Sequence, residues 1–543
     1  MKGLRFLKRP GVSAVVLVAL AVGGTVGCRR QETPQNLILI TLDTLRADHV
    51  SAYSPKNSLT PNLDILARQG ILFKNAFSLI PITLPSHASM FFSEPPSLIK
   101  NYNNGQIIRN KRNIPSFVNL FKKSGFLTAA FVSLGVLKSQ FGLTQGFDTY
   151  VDDFPERRWY LAAEEVNARV FPWLEAHKDQ RFFLWIHYSD PHDPYAPPDA
   201  PDDLKVYCNE KLVGQYCLSK YLAYDVEIDL KPGRNEVRLE AINRYLTNPD
   251  IYQARLDRLE FDPPANAIDL LIDQCRGWEI RREDHVFFFK KNGYIEIINR
   301  AGPRRLKITF RGKLNIPDAD VRALYQKEVE YMDREIGKLW DKLRALGLFS
   351  RTAILAVGDH GEGLFEFKAK AGFPHVGHIH FLYKPYLQVP LLLYSPSLQE
   401  PGVERDEFVS LLDVGPTITR LMGFKPLSHF RGRDLLRLKK GQPLEIFEET
   451  YRPEAMEGDK FGLLHYPWHM ILTPRDSRYE LFDWSHDPGE RQDLYGRNAG
   501  LPAEVQELKQ RLDAFARDVL KGKEEIKIDK KTEEMLRTLG YVR

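Results

Sequence analysis

Four short stretches of this 543-residue chain put acids, imidazoles or hydroxyls directly after apolar runs. They are Leu42-Asp43-Thr44-Leu45-Arg46-Ala47-Asp48, Thr83-Leu84-Pro85-Ser86-His87, Asp190-Pro191-His192-Asp193-Pro194 and Gly358-Asp359-His360-Gly361-Glu362, with His378 following the last. If those runs are strands of an open α/β sheet, the residues just past their carboxyl ends are the ones that meet a ligand. Each stretch alone is a weak signal, because an Asp after a strand more often caps a helix than binds a metal. Together, Asp43, Asp359 and His360 offer two carboxylates and an imidazole to a divalent ion. Two carboxylates suit calcium, and the imidazole suits zinc or manganese. Thr83 offers a hydroxyl that such an ion can turn into a nucleophile. Asp190, His192 and His378 add groups for a second metal, for substrate, or for proton transfer to a leaving group.

Strands and helices that must position these groups alternate along the chain. Residues 36–41 (NLILIT), 126–132, 182–187 (FFLWIH), 352–357 (TAILAV) and 389–394 (VPLLLY) are apolar runs of strand length, as for strands buried on both faces. Residues 61–68 read as a helix with Pro61 in the first turn and Gly70 as its stop, and 159–174 as another. Val321, Leu324, Tyr325, Met332, Ile336, Leu339, Leu343 and Leu346 recur mostly at steps of three or four. They mark a long amphipathic helix ended by Gly347. The alternation predicts an α/β fold, a mostly parallel sheet with helices on both faces.

From 201 to 314 the pattern changes to alternation with period two. Val226, Ile228 and Leu230 precede a Pro-Gly-Arg-Asn turn, and Val237, Leu239 and Ala241 follow it. Residues 286–289 and 294–298 flank Lys-Lys-Asn-Gly, which predicts a hairpin. The segment reads as an antiparallel β-rich insertion. Cys208 and Cys217 either face each other across a hairpin and pair, or remain free thiols. The expected organisation is a leader over 1–28, a core over 33–200, the insertion over 201–314, the rest of the core over 315–437, and a small α+β subdomain and tail over 438–543. The last contains strands at 468–472 and 479–482 and a helix over 502–520.

Lys and Arg number 76 against 71 for Asp and Glu, a net charge of +5 spread over the whole length. That excludes a dedicated nucleic-acid binder, which concentrates its basic residues. Four cysteines without a Cys-x-x-Cys pair exclude a disulfide scaffold and a thiolate zinc site. At the N-terminus, Lys2, Arg5, Lys8 and Arg9 precede an apolar run from 12 to 26, too short to span a bilayer and typical of a secretion signal. Gly24-Thr25-Val26-Gly27-Cys28 looks like a bacterial lipobox, with Thr25 where leucine is usual. Lipidation of Cys28 would anchor the chain to a membrane, with 31–35 as a tether. A cleaved soluble form and an uncleaved anchor are the alternatives. All three expect an extracytoplasmic body in the bacterial cell envelope, facing the periplasm or at the surface.

The motifs, taken in order, resemble the sulfatase family of the alkaline phosphatase superfamily. Thr41-Leu-Asp-Thr-Leu-Arg-Ala-Asp resembles the first metal motif, and Pro81-Ile-Thr-Leu-Pro-Ser-His-Ala-Ser the nucleophile motif. Gly146-Phe-Asp, Asp190-Pro-His-Asp-Pro-Tyr, Gly358-Asp-His-Gly-Glu, Leu382-Tyr with Val389-Pro390, Asp413 to Thr417, Tyr479-Glu-Leu-Phe-Asp and Asp487-Pro-Gly-Glu also fit. The resemblance covers most of the chain outside the insertion. It implies an alkaline-phosphatase-like fold and metal-dependent hydrolysis of sulfate or phosphate esters, on a glycan or lipid substrate.

The departures fall on the reacting groups. Thr83 stands where sulfatases carry the Cys or Ser that becomes formylglycine, and His87 where they carry arginine. Thr44 replaces the usual second carboxylate. No Gly-Lys-Trp-His segment follows Thr128, leaving Lys138 as the nearest lysine, and His378 takes the later lysine position. Asp43, Thr83, Asp359 and His360 resemble instead the metal and nucleophile set of the superfamily's phosphodiesterases and phosphoethanolamine transferases. That likeness implies attack by Thr83 on phosphorus through a phospho-threonine, with Arg46 bracing the site. Three functions stay open on the residues alone: an ester hydrolase, a transferase of a phospho-headgroup to envelope glycan or lipid, and an inactive glycan-binding protein. The second lacks the usual transmembrane helices. The third would have no need for so many buried charges.

Overall fold

A computed structural model describes residues 33–543, apart from 57–58, 110–111, 156–157, 198–199, 221, 247–251, 265–269, 282–285, 369–371, 373, 399, 440–444, 452–457, 497–501, 524–527 and 539–543. The leader and Cys28 lie outside the described residues. Among the described residues no helix is long and apolar enough to cross a membrane.

Residues Asn36–Leu42 form β1, Ile71–Phe77 β2, Leu127–Phe131 β3, Thr149–Val151 β4 and Phe182–Tyr188 β5. A second run follows: β6 (Leu204–Cys208), β7 (Lys211–Tyr216), β8 (Tyr224–Leu230), β9 (Gly233–Ala241), β10 (Ala254–Asp262), β11 (Leu270–Arg281), β12 (Val286–Asn299) and β13 (Arg304–Leu314). The helix Asp318–Ala345 leads back to β14 (Thr352–Gly358). A small hairpin of β15 (Gly363–Lys368) and β16 (Pro374–Gly377) precedes β17 (Gln388–Val389), β18 (Leu391–Tyr394) and β19 (Val403–Ser410).

The central sheet has the order β17-β2-β18-β14-β1-β5-β3-β4, with β19 beside β2. From β14 to β4 the strands are parallel, while β18 runs antiparallel to both β14 and β2. β1, β5 and β14 are buried at every position, as expected where helices cover both faces. Leu37 and Leu39 enter one core with Phe91, Phe117 and Trp185; Ile38 and Ile40 enter the other with Tyr325, Met332, Ile336 and Trp340. This is the two-residue alternation of a strand dividing its side chains between two layers. In register, Leu42 lies level with Gly358 on one side and Tyr188 on the other. The residues that follow β1, β5 and β14 therefore leave the sheet at one common edge.

The insertion is an eight-stranded antiparallel sheet with its own apolar cluster, including Val226, Ile228, Val237, Leu239, Ile297 and Phe310. One expectation fails here, and one open alternative takes its free-thiol form. The Lys-Lys-Asn-Gly stretch is not a hairpin turn but part of the continuous β12. The strand pairs with β10 through Phe287–Phe289 and with β9 from Asn292 onward, so the change of partner falls at this stretch. Gly293 faces the Trp278 ring so closely that a Cβ there would come within 2.5 Å of it. Packing against the indole, not turn formation, accounts for the glycine. Cys208 and Cys217 are buried free thiols. In the β6–β7 hairpin Cys208 pairs with Lys211 beside the turn, whereas Cys217 lies just past Tyr216, which pairs with Leu204 at the open end.

The helix expected from 159 begins at Ala163, because Tyr160 is held in a bridge to Leu134. At the C-terminus, β20 (Glu445–Thr450), β21 (Lys460–His465), β22 (Trp468–Thr473) and β23 (Arg478–Asp483) form an antiparallel meander. The helix Ala503–Gly522 packs on it through Val505, Leu508, Leu512, Ala516 and Val519, a helical stripe.

Candidate active site

Asp43 follows β1 and Asp359 follows β14, so two carboxylates 316 residues apart in sequence share one end of the sheet. Thr44 adopts φ 55°, a left-handed conformation uncommon for a β-branched residue. It turns its N–H to Asp359 Oδ1 at 3.2 Å, and the His360 N–H donates to the same oxygen at 2.7 Å. The Thr44 hydroxyl donates to the Asp43 carbonyl at 2.7 Å, so it does not replace the missing carboxylate. Gly361 is needed for closeness: a Cβ there would lie 2.0 Å from the Pro385 carbonyl. Its N–H donates to Tyr386 O at 2.8 Å, which fixes the turn that carries His360.

Ligand-capable atoms of Asp43, Asp359 and His360 lie within 4.8 Å of one another, all fully buried. Asp43 Oδ1 and Asp359 Oδ2 have no protein hydrogen-bond partner, while Asp43 Oδ2 faces only the His187 imidazole at 3.2 Å. Burial pushes Asp359 well above the usual carboxylate range, and the Asp43 charge pushes it further. Burial acts on Asp43 in the same sense, but His187, His192 and His360 outweigh it and hold that group low. Two carboxylates this close and this dry call for a cation, and the donor set fits a divalent one.

Thr83 opens the helix Thr83–Phe92, all ten residues of which are buried. Its Oγ1 lies 3.2 Å from His360 Nε2. His360 Nδ1 lies 3.0 Å from the Gly361 carbonyl, which assigns the proton to Nδ1 and the lone pair to Nε2. The helix N-terminus adds positive potential at the hydroxyl. The His378 ring centroid lies 4.6 Å from that of His360, tilted by 39°, and 5.1 Å from that of His192, edge-on at 67°, so the three imidazoles are grouped together. Burial opposes charge on His378, but Glu362, 3.1 Å from its Nδ1, raises its pKa. His192 donates from Nδ1 to the Asp193 carbonyl at 2.6 Å. Arg46 is a brace: it binds Asp48 at 2.8 Å and Glu366 at 2.6 Å, and donates to the Glu362 carbonyl at 3.2 Å.

Two expected site residues point elsewhere. Asp190 accepts the Ala163 N–H at 2.9 Å and so caps the helix Ala163–His177, and burial pushes its carboxyl up to about 7. Lys138 donates to the Asp152 carbonyl at 3.2 Å and lies over the Phe154 ring. His87 Nδ1 is bound to the Thr83 carbonyl at 2.8 Å, with Asp359 Oδ2 at 3.5 Å. The sequence reading missed two residues that the fold adds. His187, at the end of β5, puts Nε2 3.2 Å from Asp43 Oδ2, and Glu362 sits behind His378. The signal for His187 was its place at the end of an otherwise apolar run, where it read as strand.

The sulfatase family model matches residues 35–424, and the model of the C-terminal region of N-sulphoglucosamine sulphohydrolase matches 378–518. The chain belongs to the sulfatase family. Human arylsulfatase A is 25% identical, the match covering 92% of this chain and 90% of that one. The N-acetylglucosamine-6-O-sulfatase of Bacteroides thetaiotaomicron is 22% identical over 90% and 88%. In fold the chain is similar to a protein solved with its substrate D-glucosamine-2-N,6-O-disulfate (TM-score 0.56, 15% identity, 92% of this chain and 100% of that one). It is equally similar to the phosphonate monoester hydrolase of Agrobacterium radiobacter (TM-score 0.56, 15% identity, 90% and 95%). As a sulfatase-family member it is a hydrolase of ester bonds, with the alkaline-phosphatase-like fold.

Proposed function

We propose that this sulfatase-family chain hydrolyses phosphate esters, diesters above all, on an envelope glycan or lipid, with Thr83 as the nucleophile. The observation that carries the reading is Thr83 Oγ1, 3.2 Å from His360 Nε2, at a helix N-terminus beside two carboxylates with unpartnered oxygens. A divalent ion held by Asp43, Asp359 and His360 would supply Lewis-acid charge that favours the Thr83 alkoxide and offsets charge on the ester oxygens. Thr83 Oγ1, its proton released to solvent as the alkoxide forms, attacks phosphorus in line with the leaving alcohol, whose bond to phosphorus breaks. His378, held toward its cationic form by Glu362, gives that alcohol its proton. The phospho-threonine is then released by water, with the same imidazole taking the proton back. A threonine has no aldehyde hydrate through which to expel sulfate, which favours phosphorus over sulfur at this site. Family membership favours a sulfate ester as the second reading, and the named relatives make a sulfated glycan the substrate for that case.

The leader sequence supports an extracytoplasmic protein anchored through a lipid on Cys28. The ligand set suits calcium, zinc or manganese. The test is a panel of aryl sulfate, phosphate monoester and phosphate diester substrates, with rapid quenching and mass spectrometry of the peptide containing Thr83. The expected result is fastest turnover of a phosphate diester and a phosphorylated Thr83. Sulfate turnover alone, with Thr83 unmodified, would overturn the reading.

A further inference from the structure

Two more buried imidazoles, His87 and His187, stand beside the carboxylates, 3.5 Å from Asp359 Oδ2 and 3.2 Å from Asp43 Oδ2. We propose that His87, His187 and Asp359 hold a second divalent ion, of the zinc class, with the Asp359 carboxylate shared between the two sites. This goes beyond the reading above and does not require Thr83 to be the nucleophile.

The argument is one of proton positions. His87 Nδ1 lies 2.8 Å from the Thr83 carbonyl, one helical turn back. A carbonyl only accepts, so Nδ1 carries the proton and Nε2 keeps its lone pair. Nε2 is fully buried and has no protein hydrogen-bond partner. His187 Nδ1 lies 2.8 Å from Ser133 Oγ. That hydroxyl donates to Ser189 Oγ at 2.8 Å, and Ser189 Oγ donates to the Ser133 carbonyl at 3.4 Å. The Ser133 N–H donates to the same nitrogen at 3.4 Å, so without an ion Nδ1 accepts and the Nε2 proton faces Asp43 Oδ2 at 3.2 Å. With its own proton committed to Ser189, Ser133 Oγ accepts from Nδ1 once an ion takes the Nε2 lone pair.

The His87 Nε2 lone pair and Asp359 Oδ2, both buried and without a protein hydrogen-bond partner, thus share a dry space with the His187 ring. A lone pair and a carboxylate left dry in this way repel as they stand and attract around a cation. Ligand-capable atoms of His87, His187 and Asp359 lie within 4.8 Å of one another. Two imidazoles and one carboxylate form a donor set of zinc type. Their other ring nitrogens are tied to a carbonyl and a hydroxyl, the usual support for a ligating histidine.

The test is a titration of chelator-treated full-length chain with cobalt(II), read by visible absorption and elemental analysis. Wild type should take up two ions per chain. His87→Gln and His187→Gln should each keep one, and His360→Gln should lose the other ion and keep this one. Ser133→Ala, which leaves every ligand in place, should weaken only the second ion, by about 10- to 100-fold. It also serves if a histidine variant does not fold. One ion in wild type that His360→Gln abolishes overturns the second site and leaves the Asp43–Asp359–His360 reading standing. No ion in wild type overturns both. Second-ion affinity unchanged in Ser133→Ala, His87→Gln and His187→Gln also overturns the proposal.

Discussion

Two of the charge clusters buried among the described residues are built in opposite ways. At the sheet edge, Asp43 Oδ1 and Asp359 Oδ2 have no protein hydrogen-bond partner, while Asp43 Oδ2 faces only the His187 imidazole at 3.2 Å. In the C-terminal meander, His469 sits between two glutamates, with Glu448 at 2.9 Å from Nε2 and Glu490 bound to Nδ1. Glu490 also accepts from Trp484 Nε1 at 2.8 Å and from the Lys384 backbone N–H at 2.6 Å, and only Glu448 Oε1 in this group lacks a protein partner. Burying charge is costly in both places. In the meander the protein neutralises it with its own groups, so the cluster can serve structure. At the sheet edge it leaves the charge for something else to neutralise, which is what a metal-dependent site requires.

The largest expected effect separates chemistry from architecture. Thr83→Ala should reduce turnover a thousandfold or more, roughly 4 kcal/mol of barrier, while metal content and unfolding stay near wild type. Thr83→Ser should keep much of the activity, because only a methyl is lost. Steady-state kinetics with elemental analysis on the same samples decides it. Full turnover by Thr83→Ala would make the threonine a spectator.

His469→Gln should have the opposite signature. It leaves two buried glutamates without their cation and should cost roughly 3–5 kcal/mol of stability in urea unfolding, with turnover per folded chain unchanged. Burial opposes charge on His469, but Glu448 and Glu490 outweigh it and push its pKa up to about 10 from 6.5. A folded-state pKa above the unfolded one means the contribution is complete below about pH 6.5 and is lost as the pH climbs through 10. The gap between wild type and variant should therefore narrow across that window. A gap independent of pH would show that the ion triad is not its source.

Each cluster includes at least one residue the motifs flagged, but the motifs did not say which cluster would hold an ion. Asp43 and Asp359 were legible because each ends an unbroken apolar run, and a charged side chain just past a doubly buried strand stands where ligands bind. Glu490 was legible only as part of Asp487-Pro-Gly-Glu, and its work is to clamp His469, Trp484 and the Lys384 backbone together. His187 was hidden by its five apolar neighbours in 182–187, because a histidine inside such a run looks like core. Strand and helix positions followed hydrophobic period closely. The Lys-Lys-Asn-Gly hairpin failed because local turn chemistry cannot reveal that Trp278, on the next strand, needs a glycine opposite it. Asp190 and Lys138 failed for a related reason, since the helix end and the carbonyl that engage them are set by tertiary structure.

Chelation should sharpen the contrast further. Removing divalent ions should abolish turnover and lower stability by about 2.7 kcal/mol for each bound ion, relative to protein with free ion at a hundred times its Kd. The same decrement should appear in His469→Gln, because distant clusters with no shared partner act additively. Thermal melts of both proteins with and without metal measure it. A decrement that vanishes in His469→Gln would mean the two clusters are coupled.

The smallest effect concerns how the insertion meets the site. Lys313, at the end of β13, donates to Asp193 Oδ2 at 2.6 Å, and Asp193 carries the carbonyl that holds His192. The pair is partly solvent-exposed, at 27% for Lys313 and 36% for Asp193. Its contribution to stability should therefore be below about 1 kcal/mol, and Lys313→Ala should melt close to wild type. Its position makes it informative nonetheless. It is a polar tie between a sheet with its own core and the loop that bears His192, so loosening it should move the insertion relative to the pocket mouth. A small aryl ester that reaches only the reacting groups should then keep its kcat/KM. An extended glycan or lipid ester that also touches the insertion should show KM raised roughly fivefold, about 1 kcal/mol of lost binding. Equal loss on both substrates would place the effect on His192 itself. No loss on either would make the insertion an appendage with no part in access.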